Sequence, residues 1–403
     1  MILCIFGVDI AREERYFLWM KSTLLRSSMM AFVLLVAIPF ACAEDLFSSK
    51  PIWSSGTSRS GGDGIARFID FDKDGDLDFV TSAPDPMRWV LHKNEDGVIA
   101  QKTSWESEQT TDCDHIDVLD FNQDGWNDLV GTHESHCTIY LNHEGTFGQK
   151  PDWETGIIAN ANQIDFGDVD HDGDLDMVMA AGEPINGVAL FENTTGMPSK
   201  TPTRKLGHME YAETAIFAQV INDDTLNIVA GYRGGRIMLY RSAKGAWDDG
   251  RVLYEDPSNA WTQRLYWHDL NRDKQFELYC AKGPWSNRLG TSLRLTPSSL
   301  PDPMKVRWKS DPDTAFHGFT FGDVDGDGDT DVLASDYAHG GHLFLYLNHE
   351  GTLPEKPSWS VNTHGPAHEA VLGDIDGDGD LDLAVGCQNQ AHIYENLSQK
   401  RVP

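Results

Sequence analysis

Nine-residue clusters of the form D-x-[DN]-x-D-G-x-x-D begin at Asp70, Asp120, Asp168, Asp323 and Asp374, and their even spacing constrains the fold more than any other feature. Two degraded copies fill the gap. One runs from Asp269 to Glu277, and one from Gln219 to Asn227 keeps the length but loses its first two acids. The intervals between successive starts are 50, 48, 51, 50, 54 and 51 residues. Near-equal units of this size mean one supersecondary element repeated, each burying its apolar face against its neighbours.

Other positions recur in phase with the clusters. Fifteen residues before the loop start stand Trp105, Trp153, Tyr254, Trp308 and Trp359, with Trp53 two residues further out and Arg204 the exception. Identical spacing implies an identical packing job, so these aromatics are read as core. Each cluster is followed by a short apolar or alternating strand, such as Leu381 to Val385, and then by a second strand ending in an N-x-x-G turn at Asn94, Asn142, Asn193 and Asn348. Four short antiparallel strands in each unit, repeated without helical periodicity, predict an all-β chain, a seven-bladed β-propeller of four-stranded blades. The last unit lacks the K-P-x-W strand seen at Lys356 to Trp359, and the missing piece stands near the other end as Lys50-Pro51-Ile52-Trp53. This N-terminal strand is expected to complete the C-terminal blade, leaving no open edge.

With Phe166-Gly167 before Asp168, Phe321-Gly322 before Asp323 and Gly373 before Asp374, the chain resembles the FG-GAP (VCBS) repeat family, to which the integrin α-chain propeller belongs. That family spans adhesion receptors, lectin-like proteins and propellers attached to enzymes, so the resemblance implies the fold more than the ligand. Gly-Ala-Pro is poorly kept here and the fourth loop is degenerate.

Alternate acids in a tight loop converge oxygens on one point, which suits a hard cation with six to eight oxygen ligands. Positions 1, 3, 5 and 9 offer side-chain oxygens, position 7 its backbone carbonyl, and glycine at position 6 permits the reversal. The calcium ligands expected are Asp70, Asp72, Asp74, Asp76 and Asp78; Asp120, Asn122, Asp124, Trp126 and Asp128; Asp168, Asp170, Asp172, Asp174 and Asp176; Asp323, Asp325, Asp327, Asp329 and Asp331; and Asp374, Asp376, Asp378, Asp380 and Asp382. Trp126 qualifies because position 7 uses only its carbonyl. A weaker sixth site falls at Asp269, Asn271, Asp273, Gln275 and Glu277, and none at Gln219. Crowded carboxylates repel unless a cation neutralises them, so five calcium ions with a structural role are expected.

The acidic loops join the first and second strands and therefore share one face of a propeller. Across the disc, six residues before each loop start, stand Gly64, Asp114, Asn162, Glu213, Gln263, His317 and His368. Variation among hydrogen-bonding types in an otherwise repeating frame marks a ligand surface. The turns between second and third strands on that face add Arg88, His133, Glu134, His136, Tyr232, Arg233, Arg236, Trp285, Asn287, Arg288, Tyr337, His339, His342, Gln388, Asn389 and His392. Aromatic, amide and guanidinium groups together suit a hydroxyl-rich or acidic sugar. The ligand-binding candidates are Asp114, Asn162, Glu213, Gln263, His317, His368, Trp285 and Arg288. The leading expectation is a binding or adhesion module for carbohydrate or an extracellular protein. The alternative is a polysaccharide lyase at the same axial face, with His317, His368, Tyr337 and Arg233 as catalytic candidates.

A formal net charge of −31 argues against nucleic acid or an anionic membrane surface as partner. Lys21 and Arg26, the apolar run Met29 to Phe40 and Ala41-Cys42-Ala43 read as a signal peptide over 1–43, its start possible at Met20 as well as Met1. Residues 44–403 then form one secreted propeller domain, extracellular or periplasmic, expected to be a monomer without stable membrane insertion. Of six cysteines, four would remain after cleavage. Cys113 and Cys137 share a blade and are expected to form a disulfide, whereas Cys280 and Cys387 are expected to be free and buried.

Overall fold

The computed structural model describes residues 46–56, 64–84, 87–108, 113–133, 135–156, 161–207, 210–220, 225–243, 246–283, 293–296, 304–311, 314–338, 340–388 and 390–399, with backbone alone at 84, 87, 114, 243 and 293–296. The predicted signal segment lies outside them. Among the described residues there is no α-helix, and no helix long and apolar enough to cross a membrane. They form an all-β propeller of four-stranded antiparallel blades.

Seven four-stranded sheets are present among the described residues. The first contains Ala66–Ile69, Asp78–Pro84, Met87–His92 and Trp105–Glu106 in that order, and the next five repeat the pattern along the chain. The last takes Ala367–Gly373, Asp382–Cys387 and Gln390–Tyr394 from the C-terminal unit and Trp53–Ser54 from near the start. Trp53 lies opposite Ile393 and Ser54 opposite His392. Of the strand predicted at Lys50 to Trp53, only Trp53 is in the observed strand Trp53–Ser54, the outermost strand of that sheet.

The strands place apolar side chains on both faces of the sheets, and these pack against neighbouring sheets. Seven apolar clusters result, each drawn mainly from two neighbouring sheets. Ile69, Val80 and Leu91 of the first sheet pack with Ile116, Leu129 and Tyr140 of the second. Trp53, Ala384 and Ile393 of the last pack with Ala66 and Phe79 of the first. The in-phase aromatics are the bolts of these junctions, as expected. Trp105 packs on Tyr140 with ring centroids 5.3 Å apart, Trp308 on Tyr346 at 5.2 Å, and Trp53 on Phe79 at 5.3 Å.

A β-bulge interrupts the innermost strand in six of the seven sheets, between Cys113 and His115, Ala161 and Ile164, Ala212 and Thr214, Thr262 and Arg264, Phe316 and Gly318, and Ala367 and Glu369. A bulge adds a residue that opposes no partner and re-aims its side chain. Its position decides what lines the axis.

Candidate functional site

Each acidic loop is held by its own carboxylates. The position 1 aspartate accepts the position 6 N–H in four loops, as Gly125 to Asp120 at 2.8 Å, Gly173 to Asp168, Gly328 to Asp323 and Gly379 to Asp374. The position 5 aspartate accepts the position 7 N–H, for example Trp126 to Asp124 at 2.9 Å and Asp329 to Asp327 at 2.8 Å. Both positions 4 and 6 are left-handed: Gly328 has φ +94° and Gly326 φ +74°, while Lys73 and His171 carry φ of 58° and 64° at position 4. The degraded loop at Asp269 keeps this shape with Lys274 at position 6, φ 66°, its N–H donated to Asp269 at 2.7 Å.

Position 9 does more than face the loop. The buried carboxylates Asp78, Asp128, Asp176, Asp331 and Asp382 each accept two backbone N–H groups, one from loop position 2 and one from the asparagine of the N-x-x-G turn. The second Asp382 bond reveals a fifth such asparagine, Asn396. Four of these asparagines then reach across a junction. Asn142 donates its amide to Phe71 O at 2.9 Å, Asn348 to Leu270 O at 3.3 Å, Asn396 to Val324 O at 2.9 Å and Asn94 to Ile375 O at 2.7 Å. The turn signature hid this latch, although the fixed offset from position 9 carried its signal.

The carboxylates fit a divalent cation. Oxygens of Asp70, Asp72 and Asp74, of Asp168, Asp170 and Asp176, of Asp323, Asp325 and Asp331, and of Asp374, Asp376 and Asp382 lie within 4.8 Å of one another in each group. Buried Oδ1 atoms of Asp70, Asp323 and Asp374 have no hydrogen-bond partner. Burial pushes Asp78, Asp128 and Asp176 up to about 6 and Asp331 and Asp382 to about 7. Position 7 side chains also tie the loop to the turn beyond, with Asp329 accepting Glu350 N–H at 2.6 Å and Asp380 accepting Gln399 N–H at 3.0 Å, while oxygens of Asp329 and Asp327 and a ring nitrogen of His349 lie within 4.8 Å of one another. Trp126 has a further job: its ring receives Lys73 Nζ of the preceding loop at 4.0 Å. In the first loop Lys93 forms an ion pair with Asp72, a cation that the sequence reading missed.

At the axis lies a cavity of about 600 Å³. Arg67 pairs with Glu369 at 2.7 Å, Glu369 with His115 at 2.9 Å, and His115 with Asp117 at 3.0 Å. Burial alone would raise Glu369, but Arg67 and His115 hold it far below the ordinary carboxylate range. Burial would lower His115, but Asp117 and Glu369 outweigh it and hold the imidazole above its usual value. Desolvation pushes Asp165, half-buried and accepting Phe217 N–H at 2.7 Å, up to about 7. These residues stand five and three positions before the loop starts. The polar sixth position marked in the sequence stands one residue short of this inward-facing set.

The sixth-position residues are the bulge residues. His317, His368 and Tyr337 come together, with ring centroids 5.1 Å apart for the two histidines and 4.9 Å for Tyr337 and His368. Burial, with Arg264 and His368 nearby, drives His317 well below its usual pKa. On another side Glu213 pairs with Arg233 and accepts Asn162 Nδ2 at 3.3 Å, and Arg233 lies over the Tyr211 ring at 3.4 Å. Arg233 therefore stands apart from the histidine group. Gln263 is buried with its Nε2 atom unpartnered. Trp285, Asn287, Arg288, Glu134, His339 and Asn389 lie outside the described residues, as does the Asp114 side chain. Several outer-turn candidates are committed locally: Arg88 to Glu106, Arg236 to Glu210, His342 to Asn362 and His392 to Ser54.

The expected Cys113–Cys137 disulfide is absent, and the four described cysteines are buried and form no disulfide. Cys113 lies opposite His133 and Cys137 opposite Thr132, on strands either side of Asp128–His133. Two strand spacings, about 10 Å, separate them, and adjacent register positions send their side chains to opposite faces. Cys113 accordingly joins the apolar cluster shared with the first sheet, and Cys137 the one shared with the third. Residues that share a face of the disc need not share a face of the sheet.

Blades tied by acidic loops and latched by asparagines define a repeat propeller with its conserved geometry in the loops and its variety at the axis. The FG-GAP-like repeat description matches residues 70–131, 120–179 and 323–385, so the chain carries three FG-GAP-like repeats in an arrangement like that of an integrin-α propeller. No curated protein sequence matches it. Among solved structures, the computationally designed Ika8 protein is similar with a TM-score of 0.51 at 10% identity, covering 86% of this chain and 99% of its own. Raptor of Chaetomium thermophilum gives 0.53 at 12% identity, covering 90% of this chain and 30% of its own. At such identities the likeness is one of fold.

Proposed function

We propose that the chain is a secreted, calcium-stabilised, closed seven-bladed propeller that acts as a binding module for carbohydrate or an extracellular protein, through the axial end opposite the acidic loops. The observation that carries this reading is the bulged position of the innermost strands, where one backbone geometry presents four kinds of hydrogen-bonding side chain over five blades: Asn162, Glu213, Gln263, His317 and His368. A scaffold needs no such variety, and a ligand without the same symmetry does. The buried charges deeper in the axis are paired with one another, which favours holding a ligand over transforming it.

Calcium would be held by the side chains at positions 1, 3, 5 and 9 of the five complete loops and by the position 7 carbonyls. A bound ion would neutralise carboxylates that burial otherwise leaves poorly ionised. Support comes from the converging oxygens and from the unpartnered Oδ1 atoms of Asp70, Asp323 and Asp374. The pairing of Trp53–Ser54 with Gln390–Tyr394 and the shared cluster of the last and first sheets support closure.

A glycan array with the His317→Ala/His368→Ala double variant alongside tests the binding reading. Binding unchanged in the variant would move the ligand site elsewhere. The lyase reading retains one specific observation, the neutral His317 stacked 6.3 Å from Tyr337. Unsaturated products formed from a uronate polymer, and lost in the same variant, would promote it over binding.

A further inference from the structure

We propose that Arg233 is the carboxylate-recognising residue of the axial face, so that the ligand of that face is an acidic sugar, a uronate, whose carboxylate takes the two terminal nitrogens of this guanidinium. The inference rests on the axial binding reading and narrows it. Its place follows from the strand ends. Tyr211 immediately precedes the innermost strand of the fourth blade, Ala212–Ala218, and Arg233 follows the second, Asn227–Tyr232. Trp261 opens the innermost strand of the fifth blade. All three therefore stand at the end opposite the acidic loops.

Arg233 is held in one pose. Its backbone N–H goes to Tyr211 O at 3.2 Å, and the turn that carries it is closed by Gly235 N–H to Tyr232 O at 3.0 Å. Its guanidinium carbon lies over the Tyr211 ring at 3.4 Å and over the Trp261 ring at 4.3 Å, contacts that suit a planar delocalised cation. Its Nε–H goes to the buried Glu213 carboxylate, which also receives Asn162 Nδ2 at 3.3 Å. Which nitrogen is used decides the chemistry. Arg88 and Arg236, near the starts of third strands on the same face, meet Glu106 and Glu210 through a terminal nitrogen. Arg233 meets Glu213 through Nε, and no hydrogen bond among the described residues uses its two terminal nitrogens. The side chain is 39% exposed, so that edge of the guanidinium is open to solvent.

A fork with one edge committed and the other presented matches a planar oxyanion that accepts two parallel bonds. Fixing a long, rotamer-rich side chain beforehand removes an ordering cost that binding would otherwise meet. Glu213 also selects the charge of the guest. Its carboxylate lies beside the guanidinium, so a singly charged carboxylate is opposed less than a doubly charged phosphate ester.

The test is calorimetric titration of the purified chain with oligogalacturonate, oligomannuronate and oligoglucuronate, each beside its methyl ester, and with sulfated and phosphorylated neutral oligosaccharides. Esterification removes the charge and leaves the sugar. At least one acid oligomer should bind, with its ester weaker by at least about tenfold. Arg233→Gln should cost the acid form the same factor and leave the ester unchanged, and Arg233→Lys, which keeps the charge without the fork, should recover part of the loss. Arg233→Gln strands buried Glu213, so Arg233→Gln/Glu213→Gln runs beside it and should show the same loss in a folded protein. Ester bound as tightly as acid, acid binding indifferent to both glutamine variants, or sulfate or phosphate preferred to every carboxylate would each overturn the assignment. Neutral glycans bound on the array while every uronate fails would overturn it and leave the binding reading standing. No glycan bound at all would remove the carbohydrate reading with it.

Discussion

Asn94 donates its side-chain amide to the carbonyl of Ile375 at 2.7 Å, fastening a turn of the first blade to the acidic loop of the last across 281 residues of sequence. Its backbone N–H meanwhile goes to Asp78 at 2.7 Å. Replacing Asn94 or Asn396 by alanine leaves a buried carbonyl without its donor, at a cost of about 1–3 kcal/mol. Asn193, whose amide returns to Leu175 of its own blade at 3.3 Å, should cost less when changed to alanine. Urea denaturation of the three variants checks the order.

The axial ion network gives a defined pH response. His115 is held above its ordinary 6.5, so the stability its charge contributes is full below that value and is lost as pH rises through the folded pKa. Glu369 is held far below 4.5, so its contribution is present above that value and is lost only on strong acidification. Unfolding free energy attributable to this pair should therefore be greatest between 4.5 and 6.5 and decline at higher pH, and His115→Gln should flatten that decline. Asp165, raised to about 7, acts in the same direction, and Asp165→Asn separates its share. Glu369→Ala, which strands buried Arg67, should cost about 3–5 kcal/mol.

Metal dependence should differ among the loops. Chelation should lower the thermal midpoint, and calcium titration should restore it with five ions bound. An unchanged midpoint would sink the calcium reading. The first loop should be the weakest site, because Lys93 already sits on Asp72 and holds that carboxyl below its usual range. Lys93→Met should strengthen calcium binding there while leaving the loop at Asp374 unaffected.

The four buried thiols should resist modification in the folded protein. Burial pushes Cys280 and Cys387 up to about 12 and Cys137 higher still, so little thiolate exists near neutrality. Mass spectrometry after alkylation should find them unlabelled under native conditions and labelled after denaturation without any reductant. A requirement for reductant would contradict the free thiols.

The blades, their boundaries and the outermost strand at Trp53 were legible because repetition averages out local ambiguity: a residue type seen at one offset in unit after unit reports a shared environment. The same logic failed where a residue serves two environments. Asp382 was read as a ligand and Asn348 as a turn former, yet each also ties strands or blades together through bonds that spacing alone cannot assign. The bulge at Glu213 or His368 is invisible in sequence, since it is a property of the pairing partner as much as of the strand. That is why the polar positions were found while the inward-facing Arg67, His115 and Glu369 beside them were not. Lys93 gave no signal because only one unit carries it.

Ser54 Oγ and His392 Nδ1 meet at 2.8 Å although 338 residues separate them, and the strand pairing around them sets a schedule for folding. Trp53–Ser54 is made long before its partner strand Gln390–Tyr394, so the sheets built from consecutive segments can take shape along the growing chain while this pairing waits. Until that pairing forms the strand is an unclaimed edge, and whatever shields it in that interval governs the yield of native protein as much as any contact in the finished fold.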